Sequence, residues 1–185
     1  MICNINYSEL IKYHIKQGND VTTVYKNVKH VEDRFIGCQV LNLDESSRVI
    51  GVGENVGLKN SANINMEMYI MKTDLFVDMI YECIRSGMQR KIKSYIRANL
   101  DKLKVEDYEF KGYLSCINSI KDYFDTNLDI LNEEVSNELF YGENPIYTKS
   151  QDEPPTKYTD MSKVSNSIVA NGSFIEGEVK NCILH

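Results

Sequence analysis

The first chemistry suggested by this chain is phosphate binding by closely spaced glycines. Gly51, Gly53 and Gly57 lie near one another, and backbone N–H groups of a glycine-rich loop can hold phosphate. Neither the G-x-G-x-x-G spacing nor a Walker spacing occurs, and no Lys-Ser or Lys-Thr pair follows. The glycines therefore indicate a flexible connection and not a nucleotide-binding loop.

Cysteine and histidine side chains could supply metal ligands or nucleophiles. The five cysteines are scattered and include no C-x-x-C pair: Cys3, Cys38, Cys83, Cys116 and Cys182. This pattern supports neither a metal site nor a disulfide framework, and buried reduced thiols fit it best. His14 lies on the apolar stripe of a predicted helix with no second ligand at a matching spacing, so we expect it to pack in the interior or at its edge.

Length and charge limit the classes of partner. The chain has 185 residues and a net charge of −6. This length can bury a sizeable core and suits one domain with an appendage. The charge provides no electrostatic footprint for nucleic acid and no polybasic patch for a membrane. No signal-like or membrane-spanning apolar run occurs, which predicts a cytoplasmic location.

Apolar periodicity predicts alternating strands and helices over residues 1–140. The predicted strands are Met1–Ile5, Val21–Val28, Phe35–Leu43, Arg48–Val52, Ile64–Met71, Lys104–Phe110 and Tyr113–Ile117. The predicted helices are Asn6–Gly18, Asp74–Ser86 with Thr73 as its cap, Arg90–Leu100, Ser119–Leu131 and Glu133–Phe140. Asn6 with Glu9, and Ser119 with Asp122, have the spacing of a capping box. The pattern indicates a mixed α/β body and is compatible with a doubly wound sheet.

The strand Ile64–Met71 alternates along its length. It would present Ile64, Met66, Met68 and Ile70 on one face and Asn65, Glu67, Tyr69 and Met71 on the other.

The C-terminal segment has a sequence period that differs from those of ordinary strands and helices. From Val164 to Leu184, β-branched residues recur at a period of about six with small and polar residues between them, which is typical of a parallel β-helix. Asn171-Gly172 and Glu176-Gly177 supply corners, because Asn and Gly tolerate positive φ. Tyr141–Ser162, with Pro154-Pro155, is predicted to be a linker.

A resemblance to a known family rests mainly on this junction. The run P-I-Y-T-K-S-Q-D-E-P-P-T-K-Y, followed by V-S-N-S-I-V-A-N-G-S-F-I-E-G-E-V, resembles the junction of bacterial glucose-1-phosphate adenylyltransferases. The closer similarity is to their D-type subunit, regarded as regulatory or non-catalytic. The resemblance implies an α/β fold, the C-terminal half of a Rossmann-like nucleotidyltransferase domain, leading into the first coil of a left-handed parallel β-helix. It also implies a fragment with three parts: residues 1–140, a linker at 141–162, and the start of the β-helix at 163–185.

The resemblance identifies positions that contact the sugar phosphate in catalytic members, and most of them are altered. The family's Glu-Lys-Pro reads Glu54-Asn55-Val56 here, so the carboxylate stays and the phosphate-binding cation is lost. Ser-Met-Gly-Ile-Tyr reads Asn65-Met66-Glu67-Met68-Tyr69, which replaces the glycine with a bulky acid.

Two further motifs are also altered. The family's Asp-Phe-Gly, whose Asp is taken as a metal ligand, is matched by Met88-Gln89-Arg90-Lys91 without a carboxylate. Trp-Arg-Asp-Val-Gly-Thr is matched by residues 114–119, where Ser119 keeps only a hydroxyl. Glu54, Asn65, Glu67 and Ser119 are therefore expected to be vestigial substrate-binding residues, with no catalytic residue. No cofactor is expected in this chain, whereas the family uses Mg²⁺ with ATP.

The resulting expectation is a regulatory subunit in ADP-glucose synthesis for glycogen that pairs with a catalytic subunit, with itself, or with both. One alternative is a truncated but active sugar-phosphate nucleotidyltransferase. Others are a hexapeptide-repeat acyltransferase, which would need many more coils, and a pure assembly module. If half of a sheet is missing, Met1–Ile5 or Val21–Val28 would be left as an exposed edge, and the chain is expected to self-associate through that edge or through its unfinished β-helix.

Overall fold

The computed structural model describes residues 1–29, 31, 33–45, 48–57, 61–87, 91–150 and 152–184. These ranges form two units. The first comprises residue 1 and residues 5–114, and the second comprises residues 2–4 and the chain from residue 115 onward. The three-part division predicted at residues 140 and 162 stays a prediction.

Helix α1 (Tyr7–Gln17) begins and ends where the capping residues predict. The Asn6 Oδ1 atom accepts the N–H of Ser8 at 3.0 Å and that of Glu9 at 3.4 Å. Gly18 ends the helix in the left-handed conformation, with a φ of 61°. These groups satisfy N–H and C=O groups that a helix end leaves unpaired.

Two more helices of the first unit differ from prediction, α2 at its N-terminus and α3 at its C-terminus. Helix α2 runs over Thr73–Ser86, and its N-cap is Lys72, which makes no side-chain cap bond. Thr73 is therefore the first helical residue and not the cap. Helix α3 runs over Ile92–Ala98, shorter at its C-terminus than the predicted helix, whose predicted start at Arg90 lies outside the described residues.

The first unit contains a mixed five-stranded sheet. Its strands are β1 (Val21–Val28), β2 (Gln39–Leu43), β3 (Val49–Glu54), β4 (Ala62–Met71) and β5 (Val105–Glu109), in the order β3-β2-β4-β1-β5. The β1–β5 pair is parallel, and the pairs β1–β4, β2–β3 and β2–β4 are antiparallel.

This order corrects two expectations. The described strands do not form a doubly wound parallel sheet, because β2 and β3 are joined by a short connection, which only antiparallel strands allow. A backbone hydrogen bond of 3.0 Å from Asp44 N–H to the Arg48 carbonyl closes that connection. Val21–Val28 lies between β4 and β5, so it is not an exposed edge. Gly51 and Gly53, expected in a flexible connection, lie within β3.

Helices cover both faces of this sheet. Met79 of α2 and Ile96 of α3 pack with Val21, Leu41 and other residues of the sheet in one buried core. Thr22, the next residue of β1, points to the opposite face. There its Oγ1 lies 2.8 Å from Nδ1 of His14 on α1. His14 is 7% exposed, and burial together with the charge of Lys72 lowers its pKa. The prediction that His14 packs in the interior is confirmed.

The second unit starts with an isolated bridge where two strands were predicted. Ile2 and Ser115 exchange backbone hydrogen bonds of 2.7 and 3.0 Å. Met1–Ile5 and Tyr113–Ile117 are otherwise irregular, so the prediction of two strands is wrong. The Asn4 side chain instead donates to the carbonyls of Glu138 at 2.9 Å and Asn144 at 2.7 Å.

Helix α4 (Ile120–Asp129) is followed by α5 (Glu133–Ser136) and a π-helical turn over Asn137–Tyr141. Six short strands follow: β6 (Lys157–Tyr158), β7 (Lys163–Ser165), β8 (Ile168–Val169), β9 (Phe174–Ile175), β10 (Glu178–Lys180) and β11 (Ile183–Leu184). Each of the last three pairs in parallel with the strand three places before it. Strand β6 lies inside the segment predicted as a linker.

The corners between these strands use left-handed residues. Gly172 has a φ of 78°, as predicted, and its N–H donates to the Pro154 carbonyl at 2.6 Å. Glu176-Gly177 also lies between two strands, β9 and β10, as predicted, but Gly177 does not have the expected positive φ. Asn166 and Asn181 take that conformation instead, with φ of 43° and 51°. The Nδ2 atom of Asn166 donates to Oδ1 of Asn181 at 2.7 Å, which joins corresponding corners of successive turns.

Candidate functional site

Strand β4 carries two of the four candidate residues at an irregular point. Thr23 of β1 pairs with Tyr69, but Tyr25 pairs with Asn65, so β4 has additional residues between these pairs. Glu67 lies in this bulge and has a φ of 55°. The predicted alternation of faces is therefore interrupted at Glu67, although Asn65 and Tyr69 lie on the same face on either side of it.

Asn65 is held entirely by neighbouring protein groups. Asn65 is buried, with 3% of its surface exposed. Its Nδ2 atom donates to Oε1 of Gln39 at 3.0 Å and to the hydroxyl of Tyr69 at 3.4 Å. Its Oδ1 atom accepts the N–H of Glu67 at 2.9 Å. Burial, with the nearby Glu67 charge, raises the pKa of Tyr69 despite the Asn65 bond.

The Glu67 carboxylate is paired with a lysine of α3. Its Oε1 atom lies 2.5 Å from Nζ of Lys93. Lys93 and Arg97, one helical turn apart, line a cavity of about 20 Å³ with polar residues of the sheet. Those residues are Thr23, Gln39, Asn65 and Tyr69. This volume holds about one water molecule, and is far too small for a sugar phosphate.

Glu54 ends β3 on the same face of the sheet. It stands opposite Gln39 in the β2–β3 ladder, and Gln39 in turn bonds Asn65. The structure therefore brings Glu54, Asn65 and Glu67 to one sheet face. Asn65 and Glu67 are in direct contact, and Glu54 is related to them through Gln39.

Asn55, which stands where the family has its phosphate-binding lysine, is a buried structural residue. It is 0% exposed. Its Nδ2 atom lies within bonding distance of three carbonyl oxygens, those of Val31 at 3.0 Å, Arg34 at 3.3 Å and Phe35 at 3.1 Å. Its Oδ1 atom accepts the N–H of Gly57 at 3.1 Å. The side chain therefore holds the segment before β2 and is not available to a ligand.

Ser119, in the second unit, is the N-cap of α4. Its Oγ atom accepts the N–H of Asp122 at 3.0 Å and donates to Oδ2 of Asp122 at 2.8 Å. That same carboxylate oxygen accepts the N–H of Asn118 at 3.2 Å. The predicted capping box is confirmed, and the hydroxyl that the resemblance assigns to a substrate is used to start a helix. Asp122, which accepts the bonds from both Ser119 and Asn118, is itself buried, with 7% of its surface exposed.

Sequence reasoning missed one chemically unusual residue. Asp107 on β5 is 3% exposed, and burial raises its pKa to about 7, against the lowering effect of a hydrogen bond from the Thr23 hydroxyl to Oδ1. Its Oδ2 atom has no hydrogen-bond partner among the described residues. The run V-E-D-Y-E-F contains three acids, and the sequence alone does not show that Asp107 is the buried one.

Within the described ranges, no group of three His, Cys, Asp or Glu side chains is arranged to hold a metal ion. The stretch matched to the family's Asp-Phe-Gly includes residues 88–90, which lie outside the described residues. No helix in the described part of the chain has the length and apolar character needed to cross a membrane.

Comparison with known proteins gives a consistent set of relatives. No family model matches the chain. The glycogen biosynthesis protein GlgD of Bacillus subtilis is 31% identical over 183 residues, which cover 99% of this chain and 43% of that protein. GlgD of Geobacillus stearothermophilus gives the same identity and the same two shares. Glucose-1-phosphate adenylyltransferase of Mycoplasma mobile is 29% identical over 188 residues, covering 99% of this chain and 48% of that enzyme.

The similarity extends along almost the whole chain, which spans somewhat less than half the length of these relatives. The mixed sheet with helices on both faces is consistent with a nucleotidyltransferase-like domain. The resemblance expected from the residues around Pro154 is thereby confirmed. Over almost its whole length, the chain is similar to the glycogen biosynthesis protein GlgD and to glucose-1-phosphate adenylyltransferases.

Proposed function

We propose that this chain is part of a regulatory, non-catalytic subunit that acts with a catalytic glucose-1-phosphate adenylyltransferase in ADP-glucose synthesis for glycogen. The two GlgD proteins at 31% identity carry glycogen biosynthesis in their names. The proposal extends that role to this chain, with a catalytic subunit, a second copy, or both as partners.

The proposal rests on the contacts that side chains at and beside the expected substrate positions make within the protein. Binding a sugar phosphate requires cations and donors that are free to meet it. Here the Asn55 side chain donates to backbone carbonyl oxygens, and the Ser119 hydroxyl caps a helix. Lys93 forms an ion pair with Glu67. If such a buried donor turned to a ligand, its present acceptor would lose its hydrogen bond, and an unsatisfied buried group costs about 1–3 kcal/mol. These residues therefore favour a scaffold over a substrate pocket.

The repeated parallel pairs of the second unit support a finer proposal about the fold. Strands β6 to β11 make two successive turns of three strands each, with the Asn166–Asn181 bond joining equivalent corners. We propose that they begin a left-handed parallel β-helix that follows a Rossmann-like nucleotidyltransferase half-domain. Repeats of this kind gain stability from stacked neighbours, so this region is suited to assembly with further coils or with a partner.

The second candidate function is an active sugar-phosphate nucleotidyltransferase. The 29% identity with the Mycoplasma mobile adenylyltransferase favours it, and it would require Mg²⁺ with ATP. The altered positions count against it, because each removes a charge or a close approach that anion binding needs.

An activity assay with two arms separates these functions. Purified chain is given ATP, Mg²⁺ and glucose 1-phosphate, first alone and then with the catalytic glucose-1-phosphate adenylyltransferase of the same organism. We expect no ADP-glucose from the chain alone, and co-purification with a changed rate when the catalytic subunit is present. ADP-glucose formed by the chain alone would support the second candidate. Failure to co-purify and to change the rate would contradict the proposed partnership.

A further inference from the structure

Strand β4 has a neighbouring strand on both sides only near its start. On one side, β1 pairs with β4 as far as Met71. On the other side, β2 pairs with it at Ile64 alone. Within the described part of the chain, no loop residue forms a backbone hydrogen bond with residues 68–71. The backbone N–H and C=O groups along this edge are therefore available to another strand.

The open edge of β4 borders a cleft of about 560 Å³. Five successive residues, Tyr69–Thr73, line this cleft, and the first three of them belong to β4. Successive side chains of a strand point to opposite faces of the sheet, so the side chains of a single face could not supply such a run. The cleft therefore opens onto the edge of the strand and exposes its backbone.

The walls of the cleft are apolar on both faces of the sheet. Ile11 of α1 lies on one face, and Phe76 of α2 and Ile92 of α3 lie on the other. These three residues are 44%, 36% and 40% exposed, so each has apolar surface that a partner can cover. A strand laid against β4 would direct its side chains alternately to the two walls. It would therefore need apolar side chains at consecutive positions, like a strand that is buried on both faces.

One end of the cleft carries positive charge. Lys72 lines the cleft where β4 ends, and it forms no ion pair with any residue that the structure describes. It is also the N-cap of α2 and makes no side-chain cap bond. Asp74, the acid in the first turn of α2, is not among the residues that line the cleft. The ammonium group and the helix N-terminus together favour an anion at this end.

The imidazole of His14 adds a donor at the same end. Its Nδ1 atom lies 2.8 Å from Oγ1 of Thr22, and that oxygen also accepts a hydrogen bond of 3.1 Å from Nδ2 of Asn19. The buried Thr22 hydroxyl then finds its own acceptor in Nδ1, which places the His14 proton on Nε2. Burial and the charge of Lys72 lower the pKa of His14, against the charge of Asp20. Nε2 has no hydrogen-bond partner among the described residues, so the neutral ring offers an N–H to the cleft that it lines.

We infer that this cleft binds an extended peptide segment, which pairs with the open edge of β4 as an additional strand. The side chains of this segment are apolar at successive positions, and an acidic side chain lies at the end near Lys72. The unpaired backbone favours a strand, the two apolar walls favour its apolar side chains, and Lys72 with His14 favours the acid. The site uses neither Asn65 nor Glu67, and the inference does not depend on the role proposed in glycogen synthesis.

The test measures the binding of short labelled peptides to the full chain by fluorescence anisotropy. The two probes carry the apolar run Val-Ile-Val-Ile-Val with one Asp, which precedes the run in one peptide and follows it in the other. In one control peptide Ser replaces every second apolar residue, so that only one face stays apolar. In a second control every backbone amide of the run is N-methylated, which removes the donors that edge pairing needs.

Four variants of the chain locate the bound peptide. Ile11→Glu and Phe76→Glu each place a charge on one wall of the cleft, and Lys72→Gln removes the cation at its end. Ile120→Glu is the matched control, because Ile120 is 88% exposed on α4 in the second unit. All four changes lower the net charge by the same amount, so a general effect of charge appears in all of them. Circular dichroism and thermal unfolding verify the fold.

We expect one probe, the one whose Asp meets Lys72, to bind at least about tenfold more tightly than the other and than both control peptides. Ile11→Glu and Phe76→Glu should each weaken its binding to a similar extent, whereas Ile120→Glu should leave the affinity unchanged. Lys72→Gln should remove the preference between the two probes.

Four results would overturn the inference. They are no binding of either probe, equal affinity of the two probes for wild type, equal affinity of the N-methylated peptide, and equal weakening by Ile120→Glu and Ile11→Glu. Light scattering of wild type and Ile11→Glu tests a second copy of the chain as the occupant. Self-association that Ile11→Glu abolishes, in a chain that binds no peptide, would assign the edge to that second copy and would also overturn the inference.

Discussion

Asn55 illustrates how one residue can change the use of a site. Three carbonyl oxygens before β2 converge on its amide, and the residue is completely buried. A lysine at this position could not satisfy these carbonyls from the same place, because its ammonium lies at the end of a longer stem. At the position where the resemblance expects a phosphate-binding cation, this chain therefore has a residue that stabilises the fold.

We expect Asn55→Ala to destabilise the protein by about 2–4 kcal/mol, because it removes the buried hydrogen bonds that the Asn55 side chain makes to the segment before β2. Asn27→Ala serves as the control, since Asn27 is exposed and its side chain donates to the Asn63 side chain in an exposed hydrogen bond. That variant should change the free energy of unfolding by less than about 0.5 kcal/mol. Urea denaturation of the three proteins measures both values, and equal losses would contradict the structural role assigned to Asn55.

Asp107 predicts a pH dependence of stability. Its folded pKa is about 7, whereas an unfolded aspartate titrates near pH 4. Between these values the folded state binds more protons, so the free energy of unfolding falls as the pH rises from about 4 to about 7. Above pH 7 the cost of burying the carboxylate is fully present.

Asp107→Asn removes this ionisation. The free energy of unfolding of Asp107→Asn minus that of wild type should be about 2–4 kcal/mol larger at pH 8 than at pH 4. The measurement is the denaturation midpoint at both pH values, with Asp125→Asn as a partly exposed control that should show little such difference. The same pH slope in wild type and Asp107→Asn would exclude burial of a titrating Asp107.

At the scale of elements, the capping residues determine where most helices begin. Asn6 and Ser119 each accept N–H groups of the first turn, and both starts follow from sequence spacing. Thr73 fails as a predicted cap because Lys72 already has the extended conformation of that position. Sequence shows which residues can cap a helix, but the path of the preceding strand decides which one does.

Ser119→Ala should destabilise the protein by about 0.5–2 kcal/mol, because α4 loses its cap bond. Ser119→Asp keeps an acceptor oxygen and should recover most of the loss. Chemical denaturation measures both changes. If Ser119→Ala left stability unchanged while altering binding of glucose 1-phosphate, a substrate role for Ser119 would be favoured over the capping role.

The strands were harder to predict than the helices, for reasons that particular residues make clear. Alternation locates β4 correctly but cannot show the bulge at Glu67, which depends on pairing with β1. Ile2 and Ser115 form a single bridge where two strands were expected. Asp107 and Glu109 lie on the same face of β5 and both pair with β1, yet Asp107 is buried and Glu109 is exposed, a difference that the sequence pattern does not contain. Register is a property of two strands together, so a single strand's pattern does not contain it.

For the whole molecule, the structure favours one of the two predicted routes of self-association. Val21–Val28 is covered on both sides by strands, so it cannot be the predicted edge. The strands at the edges of the described sheet are β3 and β5, and β5 carries acidic residues that oppose edge pairing. The short parallel strands of the second unit are the better candidate, because such repeats stack on one another.

We therefore expect the chain to self-associate as its concentration rises. Light scattering at increasing concentration measures this, and Asn181→Ala tests the proposed surface by removing the asparagine of the later corner. Weaker association in that variant, with an unchanged circular dichroism spectrum in the helical region, would support the β-strand end as the contact. A monodisperse monomer at the highest concentration would contradict the expectation.

The central claim is that the residues at the sugar-phosphate positions now serve the fold. Calorimetric titration of the wild-type chain with glucose 1-phosphate tests it most directly, with glucose as the reference ligand. The account predicts no saturable heat for either compound. Saturable binding of glucose 1-phosphate that glucose does not reproduce would contradict it.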